Sequence, residues 1–124
     1  MVKYRQIWRH IMLPVMLTLV VVIVLVSMSM LANRKFRAVD RLPMQWSNRG
    51  EVNWTAPRVA ALAVMPVLGT LVLCAASLSS IFVDPRPGQE NMVIPAMLVM
   101  ALVAIGIHHL HITLIARYLG KAGD

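Results

Sequence analysis

The sequence predicts an all-α integral membrane protein, with three transmembrane helices and a structured polar loop between the first and the second. Three observations predict it. Of the 124 residues, 59% are hydrophobic and only 14% are charged, whereas an ordinary soluble domain carries about 25% charged residues. Three long runs contain no Asp, Glu, Lys or Arg, and each is long enough to cross a bilayer. Basic residues gather at the ends of those runs, where Lys and Arg set topology and meet anionic headgroups. The net charge of +7 therefore reads as a membrane flank and not as a nucleic-acid stripe.

Residues 1–10 form an interfacial flank. Lys3, Arg5 and Arg9 are basic there, and Tyr4 and Trp8 are aromatics of the kind that sit at headgroup level. Residues 11–32 form the first span, which at about 1.5 Å per residue reaches about 33 Å. Pro14 is expected in its first turn, where a missing N–H is tolerated. Val20 to Val26 is β-branched except at Leu25, yet in lipid the helix wins because the backbone must satisfy itself. A signal peptide is the rival reading of this run. The run is long for an h-region, and Met30-Leu31-Ala32 lacks a small residue at the −3 position.

Residues 33–58 are the polar surface loop, opened by Arg34, Lys35 and Arg37. Residues 59–83 form the second span. Pro57 stands near its first turn, and Thr55 is positioned to cap it. Pro66 lies inside this helix, where it should kink the backbone and free a carbonyl one turn earlier. Ala60, Ala61, Ala63, Gly69, Ala75, Ala76 and Ser77 make it the small-residue span and the expected central packing partner. Ser77, Ser79 and Ser80 can bond back to helix carbonyls. Cys74, the single cysteine, excludes an intramolecular disulfide and is expected to be a small buried apolar residue. Asp84 to Glu90 is a turn-rich connection, and residues 91–118 are the third span with its exit flank of Arg117 and Tyr118, followed by Lys121.

The loop carries the motif. In Pro43-Met44-Gln45-Trp46-Ser47-Asn48-Arg49-Gly50-Glu51-Val52-Asn53-Trp54, Asn48-Arg49-Gly50 is turn chemistry, with Gly50 free to take positive φ. Trp46 and Trp54 flank that turn and can dip into the interface with their indole N–H groups wet. The physical reading is a small hairpin-like lid, and the plainer alternative is a connection with two anchor tryptophans.

A first helix, then Leu-Pro, Trp, Asn-x-Gly-Glu-Val, and a second helix opened by Ala-Pro-Arg, resembles the SdpI-like membrane proteins and their N-terminal module of unknown function. Pro43, Trp46, Asn48, Gly50 and Glu51 match, whereas Gln45 stands where the family usually has histidine. The resemblance covers roughly Leu13 to Leu73. It implies a multi-pass protein of the bacterial cytoplasmic membrane, not an enzyme, that acts by binding in toxin immunity, signalling or an unknown role. Longer family members carry further spans after this module.

His108-His109-x-His111 is the other feature. His108 and His111 share a helix face, about 5–6 Å apart at Cβ. They could hold a metal together, or one could hold haem, but the only other histidine, His10, falls on the opposite membrane face in a three-span bundle. The plainer reading is a polar interfacial cluster, so no metal and no cofactor is expected. There is no Ser-His-Asp set, no phosphate loop and no acid inside a span.

The expected partners are the lipid bilayer and a membrane peptide or other membrane protein subunits, with no nucleic acid. The binding residues are expected to be Gln45, Trp46, Asn48, Gly50, Glu51, Trp54, His108 and His111. Gln45, Trp46, Asn48, Glu51, His108 and His111 are expected to line one polar pocket at the membrane surface. The alternative role is a structural accessory subunit of a respiratory or photosynthetic membrane complex. Orientation is contested. Eight basic residues on the loop face, against Lys3, Arg5, Arg9 and Arg86 on the other, put the loop in the cytoplasm, whereas the resemblance puts it outside.

Overall fold

The computed structural model describes residues 2–123. In chain order the elements are α1 (Val2–Lys35), β1 (Arg41–Trp46), β2 (Val52–Pro57), α2 (Arg58–Phe82) and α3 (Val93–Ala122). All three helices are long and apolar enough to cross a membrane. Leu19, Ile23, Leu71 and Leu102 are each more than half exposed on the outside of the bundle. Water disfavours an apolar surface of this extent, and lipid accepts it.

The all-α expectation is corrected in the loop. β1 and β2 pair antiparallel, with Leu42 opposite Ala56, Pro43 opposite Thr55 and Trp46 opposite Val52. The segment lies beyond the apolar runs and has no helical partner for its N–H and C=O groups, and cross-strand pairing supplies one. Pro43 is tolerated because each strand of a two-stranded sheet keeps a free edge.

Two helix ends also differ from expectation. The 1–10 flank, from Val2 on, is helical and continuous with the first span. No glycine or proline stops it, and propagation from a formed helix is easy. Pro14 is consequently inside α1 and not in its first turn. Thr55 does not cap α2; the N-cap is Pro57, with no side-chain cap bond. Thr55 is held in β2, where its hydroxyl accepts from Arg41 Nε at 3.0 Å.

The bundle runs up, down and up, so the hairpin and the end of α3 share one end. A core cluster there joins Ala32, Phe36, Leu42, Ala61, Leu62 and Ile115, and a second, further along, joins Val21, Leu25, Leu73, Met97 and Ala101. Between them α2 lies close to both neighbours at Gly69. A Cβ on Gly69 would stand 2.7 Å from Leu25 Cδ1 and 3.6 Å from Ala104 Cβ. The small-residue span does bring its neighbours close there. Cys74, by contrast, is exposed on the outer face. It follows the buried Leu73 by one residue, which on a helix turns it about 100° away from the core.

Polar side chains tie α1 to α2 at the level of Pro14. Thr18 Oγ donates to the Pro14 carbonyl at 2.9 Å, and Ser77 Oγ lies 2.8 Å from Thr18 and 3.3 Å from the same carbonyl. Ser80 donates back to the Ser77 carbonyl at 2.7 Å. At the far end, the turn before α3 has Gly88 at φ +84°, and its N–H donates to Glu90 Oε1 at 3.0 Å. The backbone N–H groups of Glu90 itself and of Gly88 hold the Glu90 carboxyl below its ordinary pKa range.

Candidate functional site: the hairpin and the histidines beneath it

The hairpin tip is built by its own backbone. Ser47 N–H donates to the Glu51 carbonyl at 2.7 Å, and Gly50 N–H to the Ser47 carbonyl at 3.0 Å. The Ser47 hydroxyl accepts from the N–H groups of Arg49 and Glu51, both at 3.2 Å. Closing the turn puts Gly50 at φ +81°, as the Asn-Arg-Gly order led one to expect. Asn48, Arg49, Gly50 and Glu51 are all exposed at this tip.

One strand pair further back, Trp54 Nε1–H donates to Gln45 Oε1 at 3.1 Å on an exposed face. Trp54 remains 52% exposed, which leaves an apolar ring free for a partner or the interface. Trp46 turns the other way and packs on the core. Its ring meets His111 edge to face, with centroids 6.1 Å apart and planes at 78°. That contact seats the hairpin on α3.

The base is fastened by Arg58, the first residue of α2. Its Nε donates to Asn33 Oδ1 at 2.8 Å, and its Nη1 to the carbonyls of Arg37 at 2.8 Å and Val39 at 2.9 Å. Its own N–H donates to the Asp40 carbonyl at 2.8 Å. A guanidinium fork suits this work because it reaches several acceptors in fixed directions. Sequence reasoning counted Arg58 only as a basic flank residue. Its place three residues after the last loop threonine carries no signal of the role.

The single polar pocket does not form. Trp46 and His111 meet, but Glu51 and Asn48 lie out at the tip, beyond the last strand pair, and Gln45 is engaged with Trp54. Among the described residues no ion pair joins Glu51 to a histidine. His108 is separate again. It lies about one turn deeper than His111 and is fully buried. Its Nε2 lies 2.8 Å from Ser29 Oγ, and Ser29 in turn donates to the Leu62 carbonyl at 2.6 Å. The serine has one proton, so the imidazole supplies the other, and Nε2 carries the hydrogen. His108 Nδ1 and His111 Nε2 are both buried without a hydrogen-bond partner.

Ser29 was the second residue not foreseen. Pro66 announces a free carbonyl at Leu62, but nothing in the sequence says which hydroxyl of another span answers it. Among the described residues no group of three or more His, Cys, Asp or Glu stands close enough to hold a metal ion.

Compared with protein-family models, curated proteins and solved structures, the chain matches none of them.

Proposed function

We propose that the chain is a small SdpI-like protein of the bacterial cytoplasmic membrane that works by binding, with the hairpin as its recognition element. The partner is a membrane peptide, a lipid or another membrane protein, met at the surface. The observation that carries this reading is the pre-formed hairpin: bonded at its tip through Ser47, fastened at its base by Arg58, and presenting Trp54, Arg49 and Glu51 outward. A surface fixed before contact loses less entropy on binding than a mobile loop. An exposed tryptophan beside charged residues is the usual make-up of an energetically dominant contact.

By the positive-inside rule the hairpin end faces the cytoplasm. The experiment is purification from native membranes with mass spectrometry of co-migrating proteins and lipids, in parallel for the wild type and a Trp54→Ala, Arg49→Ala variant. Loss of a specific companion in the variant supports hairpin recognition. A companion kept unchanged by the variant assigns the contact to the helices and favours the accessory-subunit role.

A further inference from the structure

A cavity of about 280 Å³ opens below the hairpin between α2 and α3. Met44 from β1, Met65 from α2 and His111 from α3 line it, with aliphatic side chains around them. The three come from three elements, so only the folded chain assembles them. Met44 is the unmatched residue where the β1–β2 register shifts between Pro43 and Gln45. Leu42, Met44 and Trp46 alternate along β1 on one face, so Met44 packs toward the bundle with the other two.

His111 Nε2 is buried there with no hydrogen-bond partner. In the Nδ1–H tautomer Nε2 keeps a lone pair, the arrangement that prepares a histidine for a ligand. Among the lining residues the other side-chain heteroatoms are two thioether sulfurs, which accept but cannot donate. Three electron-pair donors with no proton among them fit a cation.

The ligand types narrow which one. Thioethers are soft and uncharged, and with imidazole they select monovalent copper over zinc, magnesium or calcium. No carboxylate or thiolate lines the cavity to neutralise a divalent charge. His108, one turn below, is engaged through Nε2 with Ser29 and is not needed. We propose that Met44, Met65 and Nε2 of His111 form a binding site for a soft monovalent cation, Cu⁺ or its surrogate Ag⁺.

The test is anaerobic competition for Cu⁺ between the full-length, untagged chain in detergent micelles and a chromophoric Cu⁺ chelator. The expected result is one Cu⁺ per chain, displaced by Ag⁺. Met44→Leu, Met65→Leu and His111→Phe should each weaken binding about tenfold or more, the scale on which metal sites respond to such losses. Met100→Leu, on α3 but outside this cavity, should leave binding unchanged. X-ray absorption at the copper edge should show sulfur and nitrogen together. Circular dichroism checks that each variant is helical, and the two Met→Leu changes conserve volume, so they carry the test if His111→Phe does not fold. Failure to compete for Cu⁺, equal retention by both leucine variants, or a copper shell without sulfur would overturn the proposal.

Discussion

The hydroxyl of Ser29 on α1 donates a 2.6 Å hydrogen bond to the carbonyl of Leu62 on α2. Leu62 stands four residues before Pro66, so this is the carbonyl whose helical partner the proline removes. One helix thus repairs a defect in another, and His108 of α3 completes the chain. Ser29→Ala leaves a buried carbonyl and a buried imidazole N–H unpaired. The expected loss is about 1–2 kcal/mol, given that hydrogen bonds inside membranes are worth somewhat less than in dry protein cores. Pro66→Ala restores the backbone N–H, so the double variant should lose less than the two single variants summed. Thermal unfolding in micelles measures all three. Strict additivity would show that Ser29 and Pro66 are not coupled.

Arg58 holds the hairpin to the end of α1. Arg58→Lys keeps the charge but cannot reach Asn33, Arg37 and Val39 in the same geometry. We expect a loss of about 1.5–3 kcal/mol, the range for hydrogen bonds to a charged group. Faster amide exchange across β1 and β2 should accompany it. A lysine variant with unchanged exchange would show that the core beneath Leu42 suffices.

Gly50 is a cleaner case, since a Cβ there meets nothing within 4 Å and only φ +81° opposes it. Gly50→Val should cost about 1 kcal/mol or more as backbone strain. Gly50→Asn should cost less, because asparagine tolerates the left-handed region. Gln45→Ala removes one exposed bond to Trp54 and should cost less than Gly50→Val. The comparison is thermal stability in one detergent, and equal small effects would contradict a folded hairpin.

The up-down-up bundle places the hairpin and the end of α3 at one end, with the turn at Arg86 at the other. With Cys74 replaced, cysteines at Arg49 and Lys121 should label from the same side of sealed vesicles, and a cysteine at Arg86 from the opposite side. Labelling of Arg49→Cys and Arg86→Cys from one side would rule out three crossings.

The helices were legible because charge-free runs of this length leave a chain few alternatives in lipid. Gly50 was legible for a local reason, since a turn closed by Asn-Arg-Gly needs its own backbone geometry and little else. The pocket was not. Which of His108 and His111 meets Trp46 depends on the rotation of α3 against the hairpin, and tertiary packing sets that angle. Arg58 and Ser29 escaped notice on the same ground, because each answers orphaned carbonyls on another element. The start of α1 was misplaced because a membrane surface was taken as a helix boundary, while residues 2–10 contain nothing that ends a helix.

The unbroken α1 has a mechanical consequence. Its 34 residues make a rod about 51 Å long, against a hydrocarbon slab of about 30 Å. A rod so much longer than the slab tilts to suit thickness, and a thinner bilayer lays it further over. Arg58 couples the hairpin to one end of that rod, so the lean of α1 sets the pitch of the tip against the headgroups. In bilayers of shorter lipids, Trp54 fluorescence should report a changed depth to brominated-lipid quenchers, with Trp8 and Trp46 replaced by phenylalanine. A depth independent of thickness would mean that the hairpin swings free of its lever.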